Sequence, residues 1–223
     1  MFGFLKKLFH QNAKATELSD DGHEKYYEIK QAALEKILGN MHDFVGHAIV
    51  PFKIGGAVDM YYFPHALSGT AFVTMELMEP DGSGPMPGNI GTYELIAFTK
   101  HAIDNNASND VEQSSAFNKI ERRICGIFTG IADHSRNAIM NPGNTCEVPA
   151  GEKEKNRCLI FDEYKKDGID FDFDGQKHGL LLCIEIFPQE MRYAMEKGGP
   201  ALLDKLKAKG YYPYSDLDRE PIV

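Results

Sequence analysis

Apolar and polar positions alternate most cleanly late in the chain. Ile169, Phe171 and Phe173 interleave with Asp170, Asp172 and Asp174, the period-two signature of a strand with one buried and one solvated face. Asp174-Gly175 stands where a two-residue hairpin turn would sit, and residues 180–187 (LLLCIEIF) read as a returning, largely buried strand. Aromatic and β-branched residues predict further strands at 57–63 (AVDMYYF), 70–78 (TAFVTMELM) and 92–99 (TYELIAFT). Residues 64–69 read as a turn between the first two, and 80–91, with four glycines and three prolines in twelve residues, as a loop.

Helical spacing marks the remainder. Tyr27, Leu34, Ile37, Leu38 and Met41 recur at three- and four-residue steps within 24–41. Phe117, Ile120, Ile124, Ile127, Phe128 and Ile131 trace one face of a longer helix ending near Ala132, with Asp110 as the best N-cap candidate before it. Asn141-Pro142-Gly143-Asn144 reads as a turn. Pro188 can open a helix, and Gly198-Gly199-Pro200 separates it from another at 201–209. Strands bracketed by helices predict an α+β fold: a single domain with a mixed, largely antiparallel sheet packed by flanking helices, covering 23–223 behind an N-terminal arm at 1–22.

Composition narrows the function classes. A hydrophobic content of 43% suffices for a core, which excludes global disorder. Thirty-three acidic residues against twenty-four basic ones give a formal charge of −9. Such a surface is repelled by phosphate backbones, so no nucleic acid is expected as partner, and basic peptides or protein faces are the natural ones. In residues 1–9 (MFGFLKKLF), Phe2, Leu5 and Phe9 can share a helical stripe that would touch a partner or membrane surface weakly. Lys6 and Lys7 interrupt a secretory apolar run. With no stretch of roughly 18–20 apolar residues, stable membrane insertion is not expected, and the reading is cytoplasmic. Cys125, Cys146, Cys158 and Cys183 lack any C-x-x-C spacing and are expected as free thiols.

Candidate chemistry thins out on inspection. Asp170-x-Asp172-x-Asp174-Gly175 imitates the start of a calcium loop, but the twelfth position is Leu181 rather than the required glutamate. The three aspartates then fall on one solvated strand face, where charge discourages edge-to-edge pairing. The glycine-rich loop has no phosphate-binding ending, and Ser83 is not in a nucleophile elbow. His42 and His47 around Asp43 have the wrong spacing for one helical face, and His134 sits near a helix end where it favours the dipole. No catalytic set, metal site or cofactor follows from the residues.

A resemblance adds to this. The strand Val58-Asp59-Met60-Tyr61-Tyr62-Phe63-Pro64, the strand Phe72-Val73-Thr74-Met75 and the triplet Tyr93-Glu94-Leu95 come in a characteristic order. Residues 180–206 follow, with an apolar strand before Pro188, then Glu190-Met191, Glu196-Lys197-Gly198 and Leu202-Leu203, and Tyr212-Pro213-Tyr214-Ser215-Asp216 closes the series. In order and spacing this resembles the suppressor-of-fused (SUFU-like) domain family, particularly its bacterial single-domain members. Met75-Glu76 departs from it, standing where many members carry a glycine and a small residue. The animal member clamps an extended peptide between two lobes, and a single lobe cannot form that clamp.

The resemblance implies a non-enzymatic protein-interaction domain with no cofactor, binding a partner protein or peptide on an acidic surface. The alternative is an immunity protein that neutralises a toxin enzyme, for which the charge would suit a basic nuclease; a third reading is a metal-dependent hydrolase. The expected contact segment is Met75, Glu76, Leu77, Met78, Glu79 and Asp81, by strand addition beside residues 70–79 with the 80–91 loop closing over the partner. The family-motif residues Asp59, Tyr61, Tyr93 and Glu94 are expected to be structural.

Overall fold

The alternating stretch forms a hairpin. In β7 (Phe171–Phe173) the two phenylalanines are buried and Asp172 is exposed. The chain reverses through Asp174 at φ 51° and Gly175 at φ 80°. Two successive positive φ values make a type I′ turn, which Asp-Gly favours and whose twist matches its strands. Phe173 is thereby paired with Gln176, the first residue of β8 (Gln176–Ile186).

The computed structural model describes residues 20–103, 115–150 and 155–223. The 1–9 tip, most of the 10–22 lead-in and the Asp110 cap candidate lie outside these residues. The remaining strands are β1 (Val45–Gly46), β2 (Met60–Phe63), β3 (Thr70–Val73), β4 (Tyr93–Thr99), β5 (Thr145–Val148) and β6 (Arg157–Glu163). One sheet has the order β1-β2-β3-β4-β8-β6-β5, with β7 on the start of β8. Its pairings are antiparallel except that of β4 with β8, which is parallel. The fold is therefore α+β, a single domain with a mixed, mainly antiparallel sheet.

Helices cover both faces. On one side lies α2 (Ala116–Ser135), whose Ile124, Ile127, Phe128 and Ile131 pack on Tyr62, Phe72, Leu95 and Leu181. On the other side lie α1 (Asp20–Leu38), α3 (Pro188–Lys197) and α4 (Gly199–Ala208), where Leu34, Ile37, Leu202 and Leu206 meet Val73, Ile96, Leu182 and Ile184. Neighbouring strand residues thus feed two cores, as period-two side-chain alternation requires. The N-cap of α2 is Ser115, whose Oγ accepts the Asn118 N–H at 3.1 Å.

Several boundaries differ from the sequence reading. The strand expected over 70–78 ends at Val73, because the backbone of 74–79 turns onto buried side chains. The strand expected from 57 begins at Met60. β5 and β6 were not anticipated, although Cys158-Leu159-Ile160-Phe161 is an apolar run that is buried throughout. The 80–91 loop is tied down: Met86 N–H donates to Ser135 O at 2.8 Å and Asn89 N–H to Asn141 Oδ1 at 2.7 Å.

Candidate functional site

The family-motif residue Glu94, second in β4, organises the segment expected to bind. Its side chain faces α1, and Lys30 of that helix reaches it; neither is accessible to solvent. Lys30 Nζ donates to Glu94 Oε1 at 2.8 Å, Met75 O at 2.8 Å and Met78 O at 2.6 Å, which uses all three ammonium protons. Glu94 also accepts from Thr74 Oγ1 at 2.7 Å and from the N–H groups of Met78 at 3.1 Å and Leu77 at 3.2 Å. The rings of Tyr26 and Tyr27 stand 4.9 and 5.1 Å from the ammonium, adding cation–π attraction. This ion pair is satisfied on every side and pins residues 74–79 in a non-strand path.

Around it, more carboxylates converge. Glu76 Oε1 accepts the Asp59 N–H at 2.7 Å. Asp59 lies 2.8 Å from His47 Nδ1 and accepts the Ala48 N–H at 2.9 Å. Glu79 Oε1 accepts from the Tyr27 hydroxyl at 3.1 Å and pairs with Lys53 at 2.9 Å. Its Oε2 is buried with no hydrogen-bond partner among the described residues. Burial, and then the charges of Asp59, Glu76 and Glu94, push the Tyr61 hydroxyl up to about 12. Burial, helped by the neighbouring carboxylates and opposed by the Asp59 N–H, holds Glu76 above its ordinary value.

The structure thus divides the expected contact residues. Met75, Leu77, Met78 and Glu79 are buried, Glu76 is half-buried, and Asp81 is exposed. The Ser83 hydroxyl and N–H hold the Asp81 carboxyl below its usual range. Strand addition beside β3 is closed, because β3 pairs with β2 on one side and β4 on the other. Tyr93 and Glu94 are fully buried, whereas Asp59 and Tyr61 are half-buried. Among the described residues no group of three or more His, Cys, Asp or Glu is arranged to hold a metal ion. The calcium-like aspartates do not converge either: Asp170 pairs with Lys165 and Lys177, and Asp174 shapes the turn.

Sequence reasoning missed the β1 end of the sheet, where β1 has β2 as its one partner among the described residues. The chain around it displays Phe44 (49% exposed), Ile49 (100%), Val50 (48%) and Ile54 (75%). Phe44 stacks on Tyr62 at 5.5 Å. Gly46 has no room for a side chain, since a Cβ there would stand 2.4 Å from the Tyr62 hydroxyl. A cavity of about 200 Å³ opens beside this edge, lined in part by Gly46, His47, Tyr62, Glu121 and Cys125. The available signal was the run Ala48-Ile49-Val50-Pro51-Phe52, apolar residues without helix or strand periodicity. Asp43, Asp59, Glu76 and Asp81 lie in or next to this arm, the last close enough to Lys53 to feel its charge.

No protein-family model and no curated protein matches the sequence. Among solved structures, the chain is similar to one in "the Sufu-Fu complex crystal structure", with a TM-score of 0.54 and 13% identity over 90% of this chain and 92% of that one. At that identity the likeness establishes the fold. This is a suppressor-of-fused-like fold. Among the described residues no helix is long and apolar enough to cross a membrane.

Proposed function

We propose that this chain is a non-enzymatic protein-interaction domain whose β1 edge receives an extended, basic and apolar segment of a partner protein. The observation that carries the reading is the solvent-facing apolar arm Phe44, Ile49, Val50 and Ile54 beside the β1 edge of the sheet, framed by carboxylates. The Phe44, His47 and Ala48 N–H groups already donate to His42 Nδ1, Val45 O and Asp59 Oδ1, so the exposed apolar side chains supply most of the contact with the partner. The acidic frame selects a basic partner and speeds its approach. The fold supports the same reading, since it is shared with a chain solved as part of a protein–protein complex. Among the originally expected contacts, Asp81 and the exposed part of Glu76 remain suited to touch the partner, while Met75, Leu77, Met78 and Glu79 support them from within. The four cysteines are free thiols, which fits a cytoplasmic setting.

The net charge of −9 favours a narrower version in which the partner is a toxin enzyme with a basic face, held as by an immunity protein. The test is affinity capture of the tagged full chain from its native lysate over a salt series, beside the double variant Ile49→Asp, Ile54→Asp. The expected result is one stoichiometric partner, weakened by salt and lost in the variant while its melting temperature is kept. An empty capture, or a partner held equally by the variant, refutes this assignment. The identity of the captured protein decides between the general and the toxin-directed reading.

A further inference from the structure

A second cleft, of about 650 Å³, lies at the other end of β4 and has the opposite charge. Its lining includes Lys119, Arg122, Arg123 and Arg157, with His101 beside them, in a protein whose net charge is −9. Ala116, Ile120 and Leu217 supply an apolar wall. The volume suits a small organic ligand.

Its place in the topology is informative. β4 and β8 are parallel neighbours. The chain leaving β4 goes to α2 on one face of the sheet, and the chain leaving β8 goes to α3 and α4 on the other. Connections that part to opposite faces open a crevice at the carboxyl ends of parallel strands, where ligands bind in open α/β sheets. The cleft is lined by His101, two residues past β4, and by Asp216, next to Ser215, which bonds to the Cys183 carbonyl of β8.

The cations at its base are held in place. Glu185 accepts from Arg123 Nε at 2.6 Å and Nη2 at 2.5 Å, and Arg157 Nη1 donates to the Arg123 carbonyl at 2.7 Å. Two acids also line the cleft: Asp216 is turned to the protein, accepting from the Thr99 hydroxyl at 2.5 Å and the Lys100 N–H at 2.8 Å, and Asp218 is exposed. Lys119 and Arg122 are exposed. Arginines oriented by the protein, with the exposed Lys119 and Arg122 beside them, concentrate positive charge in one cleft, which suits a ligand carrying several oxyanion charges.

We infer that this cleft binds a small multivalent oxyanion, a phosphate ester or a polycarboxylate. The full chain is titrated at low ionic strength with sodium pyrophosphate and separately with citrate, following amide resonances. The same titrations are run on Lys119→Glu, Arg122→Glu and on a control with equal charge change, Lys197→Glu, Lys209→Glu, on α3 and just past α4. The expected result is saturable binding with shifts at His101, Ile120 and Leu217, weakened roughly tenfold or more by the cleft variant and kept by the control. Pyrophosphate alone would identify a phosphate ester, citrate alone a polycarboxylate, and both the shared oxyanion chemistry. Absence of saturation, shifts confined to other regions, or equal weakening in both variants overturns the inference. Because the shifts are read on the unmodified protein, the test stands even if a variant folds poorly.

Discussion

Lys30→Met is the perturbation that most directly tests how residues 74–79 are held. Methionine fills much of the lysine volume but removes three donated hydrogen bonds and, among the described residues, the one cation within hydrogen-bond reach of buried Glu94. Removing one partner of a buried pair costs about 3–5 kcal/mol, because the remaining charge keeps its desolvation penalty without its attraction. In a domain of this size each kcal/mol lowers the melting temperature by roughly 2–4 °C, so the expected fall is about 6–20 °C. Glu94→Gln is also costly: one carboxylate oxygen becomes an amide facing donors, since both oxygens already accept two bonds each. The double variant leaves no uncompensated charge and should cost less than the sum of the singles by about 1–3 kcal/mol. Urea and thermal denaturation give these differences, and hydrogen exchange at the Leu77 and Met78 amides reports the release of the segment. A Lys30→Met loss below about 1 kcal/mol, or a coupling near zero, would refute the reasoning.

Gly175→Ala should destabilise by about 1–2 kcal/mol, the cost of a left-handed residue with a Cβ. No atom lies within 4 Å of the added Cβ and φ is 80°, so the backbone alone is responsible; an unchanged urea midpoint would contradict this. Glu76→Gln keeps the acceptor for the Asp59 N–H and removes a carboxylate whose folded-state pKa is raised above 4.5. Between 4.5 and that raised value the folded wild type binds more protons than the unfolded chain, so its stability falls as pH rises. The variant should therefore be the more stable at neutral pH and lose its advantage as pH drops below 4.5. A melting curve showing it less stable at pH 7 would reverse the sign. Ile49→Asp with Ile54→Asp should leave stability within about 0.5 kcal/mol per site, as both side chains are exposed; a large drop on calorimetry would place them in the fold instead.

The legible parts of the fold were those where one local rule acted alone. The Asp-Gly hairpin, the apolar stripe of α2, the Pro188 helix start and the helix expected at 201–209, which begins at Gly199, are local features, and each appears within a few residues of its expected place. The strand over 70–78 overran because local propensity continues through Glu76-Leu77-Met78, while the pair that ends it joins Lys30, 45 residues before Met75, to Glu94, 16 residues after Met78. β6 escaped notice because a four-residue apolar run has no periodicity to tell strand from buried helix. For the site, charge and family motifs marked Glu76, Glu79 and Glu94 but could not separate outward from inward carboxylates. That separation depends on Lys30, which in sequence is one more lysine on an amphipathic helix.

The same pair explains why the surface available to a partner is where it is. Buried ion pairs are weak sources of net stability, since a well-packed apolar replacement often serves as well. What Lys30 and Glu94 add is position: they take the carbonyls of Met75 and Met78 and the amides of Leu77 and Met78 out of the β3 ladder. Had β3 run on, those groups would have continued the sheet beside β2 and β4. Instead the segment folds inward, Glu76 turns to cap the Asp59 amide, and Asp59 in turn holds His47 and Ala48. The β1 arm is thus anchored through one chain of contacts from the buried pair outward, leaving Ile49 and Ile54 in solvent. The cationic cleft meets the β1-edge cavity at Arg122, but its other walls depend on Glu185, Thr99 and the carboxyl ends of β4 and β8. Loosening Lys30 should therefore weaken partner capture at the β1 edge while leaving oxyanion binding at the cleft intact.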